Sequence, residues 1–123
     1  MHLPATEFED LVVEALDSLP ESLLEVMSNV EVTVEPWPSR EQLQLVGVRR
    51  GTLLGLYEGI PLTRRHSSSY SLVAPDKVTI FQRPIERMCS TREEIVEQVR
   101  ETVVHEIAHH FGIDDDRLVE LGW

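Results

Sequence analysis

The C-terminal third of the chain carries the pattern that most constrains its fold, one long helical run with marked ends. Apolar residues recur there at the spacing of a broad helix face: Ile95, Val96, Val99, Val103, Val104, Ile107, Ala108 and Phe111. Thr91 begins a Thr-x-x-Glu capping box that is completed by Glu94, and Gly112 is well placed for a left-handed C-terminal cap. The pattern predicts a helix over Arg92–Phe111, against which the rest of the chain must pack.

The residues before this helix predict an α+β fold. A capping box at Thr6 and helical apolar spacing indicate a first helix, and alternation of apolar and polar residues indicates strands. The predicted elements are a helix over 6–19, a short helix over 21–27, strands over Val30–Glu35, 53–59 and 78–82, and a short helix from the Asp114–Asp116 run to Leu121. Residues 39–52 stay unassigned, and 60–75 are predicted to form a long polar loop.

Length and composition favour one domain spanning residues 1–123. The chain has 41% hydrophobic and 27% charged residues, which is ordinary globular composition. No apolar run approaches the roughly 20 residues that a membrane-spanning helix needs, and the first residues show no signal-peptide pattern. The single cysteine, Cys89, forms no internal disulfide, which fits a reducing compartment. We therefore expect a cytoplasmic protein without a membrane segment.

Charge is segregated along the chain. The sequence has 22 acidic and 11 basic residues, for a formal net charge of −11, and residues 1–35 contain no lysine or arginine. Most basic residues lie in 36–92, which either meets an acidic ligand or neutralises the acidic ends. We favour the second interpretation because charge patterns usually describe solvated or compensating surfaces. The acidic total argues against nucleic-acid binding, which needs clustered lysine and arginine.

The long helix contains His105-Glu106-Ile107-Ala108-His109, an H-E-x-x-H motif. Four residues turn a helix by about 400°, so the two imidazoles lie about 40° apart and one turn apart, and both can reach one ion. Glu106 projects about 100° from His105, close enough to contact water at the metal but poorly placed as a ligand. The motif predicts that His105 and His109 bind Zn²⁺ and that Glu106 is the general base for a zinc-activated water.

A catalytic zinc has three protein ligands and one open position. The spacing after the motif points to Asp115, because Gly112 lets the chain reverse so that a residue three positions later returns toward the ion. Asp114 and Asp116 are better explained as a helix cap or solvated charges. Glu120 is a less favoured rival for the third position.

The remaining polar residues have weaker assignments. His110 lies toward the apolar side of the helix, and we expect it to pack or to support a ligand through a hydrogen bond. A hydrolase also needs a donor for the developing oxyanion. The candidates by chemistry alone are Tyr57, Tyr70, Arg64, Arg65 and His66.

Three segments carry a resemblance to a known family. They are LLGLYEGIPL at 53–62, PD at 75–76 with IF at 80–81, and TVVHEIAHHFGIDDDRL at 102–118. They resemble the small bacterial zincin-like metallopeptidases, a family once listed as a domain of unknown function. The H-E-x-x-H-x-x-G-x-x-D arrangement is also similar to that of the Asp-zincins. There two histidines and an aspartate hold zinc, which maps onto His105, His109 and Asp115, and the catalytic glutamate maps onto Glu106.

The resemblance implies a minimal α+β zincin with a small mixed sheet packed on the N-terminal helix and the long active-site helix. It implies one Zn²⁺ per chain and hydrolysis of a peptide or extended polypeptide. In larger zincins an edge strand beside the cleft pairs with the substrate, which suggests 78–82 or 53–58 here. Two alternatives stay open: a non-catalytic zinc-binding interaction domain and, less favoured, a metal-free helical interaction module. The sequence gives no indication of the oligomeric state.

Overall fold

The chain adopts an α+β fold in the computed structural model, which describes residues 1–47, 53–59 and 75–123. The helices are α1 (Ala5–Asp17), α2 (Glu21–Val26), α3 (Arg40–Leu45), α4 (Gln82–Met88), α5 (Arg92–Phe111) and α6 (Asp115–Leu121). The strands are β1 (Val30–Glu35), β2 (Gly55–Glu58) and β3 (Asp76–Phe81). These elements confirm the predicted fold class. Among the described helices, none is both long and apolar enough to cross a membrane.

The three strands form one mixed sheet in the order β1-β3-β2. β3 pairs in parallel with β1, where Val32 faces Val78, and antiparallel with β2, where Tyr57 faces Val78. Because β3 is paired on both sides, the prediction that 78–82 is an edge strand beside the cleft is wrong. Of the two predicted segments, 53–58 is the one whose strand, β2, lies at an edge of the described sheet.

The core lies where α5 packs against α1 and against β2 and β3. Fully buried side chains from these elements meet there, including Phe8, Ile95, Val99, Val103, Ile107, Val78 and Ile80. Each such side chain contributes about 1.5–3 kcal/mol of transfer free energy when it leaves water. The apolar face of α5 therefore fixes the helix on the sheet and directs its opposite face outward.

The first helix differs from its prediction at both ends. It begins at Ala5 with Pro4 at the N-cap and no side-chain capping bond, so the predicted capping box at Thr6 is wrong. Proline is well suited to a helix start because it has no backbone N–H to satisfy. The helix ends at Asp17 rather than at residue 19, because Ser18 donates its hydroxyl to the last turn.

The bounds of α5 agree with the prediction, but the predicted capping box is only half formed. Thr91 Oγ1 accepts the backbone N–H of Glu94 at 3.1 Å, whereas the Glu94 carboxylate accepts from Ser90 N at 3.0 Å instead of completing the box. Gly112 adopts φ +67° and ψ +31°, the left-handed conformation that ends the helix at low cost.

Two short helices, α3 and α4, were not predicted. α3 begins with a complete capping box between Ser39 and Gln42, a signal that is present in the sequence within the unassigned 39–52. α4 follows β3 without a turn and carries Pro84 in its first turn, where proline is tolerated. Pro84 therefore follows the strand as predicted, but the chain continues as a helix. Of the predicted loop, only residue 75 lies within the described ranges.

A buried carboxylate ties the N-terminal segment to α4. Glu86 is 1% exposed and accepts hydrogen bonds from the Leu3 amide at 2.8 Å, from Gln82 Nε2 at 3.1 Å and from Arg83 Nη1 at 2.7 Å. Burial alone raises the pKa of Glu86, but these bonds outweigh it and hold the pKa below its ordinary value. The charged form is therefore the one that stabilises the fold.

Replacing this carboxylate should destabilise the protein in a pH-dependent way. Glu86→Ala leaves the buried Leu3 amide without its acceptor and removes the ion-pair partner of Arg83, and we expect the free energy of unfolding at pH 7 to fall by about 3 kcal/mol. Because the folded-state pKa is lowered, the contribution is complete above the ordinary glutamate pKa of about 4.3 and is lost as the pH falls through the folded value. Urea unfolding should show that the difference in the free energy of unfolding between wild type and variant is smaller at low pH than at pH 7. The exposed Glu14→Ala should change little at either pH, and a constant gap for Glu86→Ala would contradict this assignment.

Gly55 allows β2 to lie close to α5. A Cβ at this position would sit 2.6 Å from Thr102 Cγ2 and 3.2 Å from the Thr79 carbonyl oxygen, closer than carbon contacts allow. Thr102 is itself buried and donates its hydroxyl to the Gln98 carbonyl at 2.7 Å. The absence of a side chain at residue 55 thus sets the distance between the edge strand and the helix that carries the motif.

Gly55→Ala is therefore expected to destabilise the fold by about 1–3 kcal/mol through overpacking. Thr102→Ser removes the clashing methyl group and keeps the hydroxyl, so the double variant should recover part of the loss in thermal unfolding. Gly59→Ala is the matched control, because its nearest atoms lie at 3.7 and 3.8 Å, which is ordinary contact. Equal stabilities for Gly55→Ala and Gly59→Ala would show that the close approach is not limiting.

Candidate metal centre

Helix α5 presents the H-E-x-x-H motif near its C-terminal end, in the helical context that the sequence predicts. His105 and His109 are both exposed, one turn apart on the outward face of the helix. Glu106 is half-buried and lies on the flank that faces β2. Two imidazoles and one carboxylate are thus presented by a single rigid helix.

The two histidines share an open cavity of about 380 Å³ with Asp115. The chain reverses at Gly112, where the Ile113 amide donates to the Ala108 carbonyl at 2.8 Å, and α6 then starts beside α5. The remaining residues of the cavity wall are Ala108, Ile113, Asp114 and Leu118. The structure therefore brings the three predicted ligands to one cavity wall. Within residues 1–47, 53–59 and 75–123, however, no three His, Cys, Asp or Glu side chains are close enough together to hold a metal ion.

The neighbouring acidic residues have structural partners. Asp114 is the N-cap of α6 and accepts the Arg117 amide at 2.8 Å, as predicted for a capping residue. Glu120, the less favoured rival ligand, forms an ion pair with Arg117 at 2.9 Å and does not contribute to the described wall of this cavity.

Glu106 is held in place by the edge strand. Its Oε1 atom accepts the backbone N–H of Tyr57 at 3.0 Å. Burial raises the pKa of Glu106 above its ordinary value, against the lowering effect of the Tyr57 amide and of His109 and His105. A half-buried carboxylate with a raised pKa beside two imidazoles is a stronger proton acceptor than an exposed glutamate.

The side chain of Tyr57 lies between β3 and the end of α5. Its hydroxyl donates to Asp76 Oδ2 at 2.6 Å, and its ring stacks on His110 with 3.8 Å between centroids and 16° between planes. His110 thus packs against an aromatic ring, in agreement with the packing role expected from its place on the helix. Sequence reasoning missed Asp76 as a candidate, since its only signal was its place in the PD pair at 75–76. The other oxyanion candidates, Arg64, Arg65, His66 and Tyr70, lie outside the described residues.

Comparison with known proteins identifies the family of the chain. The family model described as zincin-like metallopeptidase matches residues 27–123, most of the chain. The chain belongs to the zincin-like metallopeptidase family. The solved structure of a conserved hypothetical protein from T. thermophilus has a similar fold, with a TM-score of 0.54 and 19% identity over 89% of this chain and 94% of that one. At this identity the likeness concerns the fold alone. No curated protein matches the sequence.

The donor set at this cavity fits zinc. Imidazole nitrogens and a carboxylate oxygen are ligands that Zn²⁺ takes in sites with three protein ligands. Here they border one open cavity, and the left-handed Gly112 brings the carboxylate to the same side as the imidazoles. The fit is one of chemistry and of a shared cavity, and the three side chains have not converged on a common point.

Proposed function

We propose that the protein is a zinc-dependent metallopeptidase that hydrolyses peptide bonds in extended polypeptides. The observation that carries the proposal is the position of Glu106, whose carboxylate is fixed by the β2 amide next to the face that carries His105 and His109. A structural glutamate in an ion pair would have a lysine or arginine partner, whereas among the described residues Glu106 faces a backbone amide and two imidazoles. Such an environment suits a group that accepts and returns a proton.

His105, His109 and Asp115 would hold one Zn²⁺ per chain. When bound, the ion supplies Lewis-acid chemistry, polarising a carbonyl oxygen and lowering the pKa of water. Borderline nitrogen and oxygen ligands favour zinc over magnesium or calcium, which prefer oxygen ligands alone.

Glu106 would perform the proton transfers. Because Oε1 is fixed by the Tyr57 amide, Oε2 is the atom that accepts a proton from the attacking water. The water oxygen adds to the carbonyl carbon, the C–N bond breaks, and the proton on Glu106 passes to the leaving amine. The raised pKa of Glu106 favours the first of these proton transfers, because it makes the carboxylate a stronger base.

The substrate class follows from the strand beside the site. A peptide bond that reaches Glu106 lies next to β2, the strand at the edge of the described sheet. An extended backbone is the conformation that fits alongside an edge strand. We therefore propose unfolded or extended polypeptides as substrates.

The compartment and the excluded partners stay proposals. Cys89 is a free, buried cysteine, which fits the reducing cytoplasm. The net charge of −11 disfavours nucleic acid as a ligand.

A panel of reduced, unfolded proteins tests the proposed activity. Zinc-loaded protein should cut at least one member of the panel, treatment with a chelator should stop the cleavage, and added zinc should restore it. Mass spectrometry of the products gives the cut sites. Stoichiometric zinc without cleavage across a broad panel would instead support a non-catalytic zinc-binding interaction domain.

A further inference from the structure

Three side chains beside Glu106 form a cluster that the proposed reaction does not use: Tyr57, Asp76 and His110. We propose that this cluster is a brace that positions the Glu106 carboxylate by holding β2 against α5. Its effect on turnover rests on the proposed function, whereas its effect on the structure does not.

The direction of the Tyr57 amide is set by the pairing of β2 with β3. The Phe81 amide donates to the Leu54 carbonyl at 2.9 Å, which makes these two residues a hydrogen-bonded pair of the antiparallel ladder. Hydrogen-bonded and non-hydrogen-bonded pairs alternate along an antiparallel strand, so the next hydrogen-bonded pair includes Leu56. The amide of Tyr57 therefore points away from β3, and it donates to Glu106 Oε1 at 3.0 Å. A change in the tilt or register of β2 would move this donor away from the carboxylate.

The Tyr57 side chain holds the strand in this position from two directions. The hydroxyl donates to Asp76 Oδ2 at 2.6 Å, which links β2 to the first residue of β3. The ring stacks on His110, which follows Glu106 by four residues and thus lies one turn along the same side of α5. His110 Nε2 also lies 4.0 Å from Asp76 Oδ2, so the three side chains contact one another. Tyr57 therefore orients Glu106 through its backbone amide, and its own side chain holds it in place.

The brace should control the position of the base without controlling the metal. A general base must lie within about 2.6–3.2 Å of the proton that it accepts, and a misplacement of about 1 Å can cost up to about 10²-fold in rate. His105 and His109 lie on the outward face of α5, away from the stacked rings. Loosening the brace should thus lower kcat while zinc stoichiometry and KM stay the same.

Tyr57→Phe is the sharpest test, since it removes one hydroxyl and keeps the ring and the backbone amide. Thr33→Val is the matched control, because it removes the Thr33 hydroxyl that lies 3.4 Å from the Thr79 hydroxyl in the same sheet. In metal-free protein, the hydrogen-exchange protection of the amide at position 57 should fall about tenfold in Tyr57→Phe relative to both wild type and the control. In zinc-loaded protein, kcat should fall about tenfold with KM unchanged.

Asp76→Ala removes the acceptor of the Tyr57 hydroxyl and should reproduce the loss of protection at position 57. Combined with Tyr57→Phe it should add little, because both changes break the same bond. The proposal would be overturned if the position-57 amide of Tyr57→Phe kept the hydrogen-exchange protection of the wild type. An equal loss of protection at every amide of the sheet would overturn it as well. If the wild-type protein hydrolyses no peptide, the proposed function fails, and the exchange measurement still decides whether the brace exists.

Discussion

Glu106→Gln is expected to slow peptide hydrolysis strongly while leaving zinc bound. The glutamine side chain has the size of glutamate, and its oxygen can still accept a hydrogen bond from the Tyr57 backbone N–H, but it cannot take a proton from water. General-base catalysis typically contributes about 10²–10⁴-fold, so kcat/KM should fall by that amount on whichever unfolded protein the wild type cuts. Zinc content should stay at one per chain because Glu106 is not a proposed ligand.

Glu93→Gln is the matched control for this change. It removes the same charge from the same helix, in the first turn of α5 and far from the motif. Turnover within about twofold of wild type is expected, since an exposed charge near a helix start affects stability by only about 0.3–1 kcal/mol. Wild-type turnover by Glu106→Gln would contradict the assignment of Glu106 as the base.

Removal of zinc is expected to produce the second large effect, a loss of stability that depends on Asp115. A ligand present at about 1,000 times its Kd stabilises the folded state by about 4.1 kcal/mol, so chelation should lower Tm clearly. Mutating a residue that only hydrogen-bonds to a metal ligand typically weakens metal binding by roughly 10–100-fold. Asp115→Ala removes a proposed ligand itself, so it should weaken zinc binding by more than this. Competition with a chelating dye measures the affinity, and thermal unfolding with and without zinc measures the stabilisation.

The aspartate run supplies its own controls. Asp116→Ala should keep the zinc affinity of the wild type. Asp114→Ala should cost about 1 kcal/mol with and without zinc, because it removes the capping bond to Arg117. Zinc affinity that is unchanged by Asp115→Ala but lost in His105→Ala would mean that another residue is the third ligand.

The parts of the fold that could be predicted are those encoded over short stretches of sequence. β1 has the predicted bounds, Val30–Glu35, and α5 has the predicted bounds, Arg92–Phe111, because alternation and helical periodicity act between near neighbours. The failures arise where two local signals compete. At the start of α1, Pro4 displaces the capping box at Thr6, and at Pro84 a signal that a strand has ended also fits the first turn of a helix.

The same division holds for the candidate site. The relative placement of His105, Glu106 and His109 follows from helix geometry, and the return of Asp115 to their cavity follows from one left-handed glycine. The contact of Glu106 with Tyr57 spans 49 residues, and that of Tyr57 with Asp76 depends on sheet pairing. No local pattern encodes such contacts, so neither the inner position of β3 nor the role of Asp76 could be predicted.

Hydrolysis in water enriched in ¹⁸O tests the central claim most directly. Zinc-loaded wild-type protein should release peptides whose new C-terminal carboxylates each contain one ¹⁸O atom, because the attacking oxygen comes from water. Glu106→Gln, purified in the same way and loaded with the same zinc, should release them about 10²–10⁴-fold more slowly. Labelled products at equal rates from both proteins, or no products from either, would contradict a zinc-dependent hydrolase with Glu106 as its base.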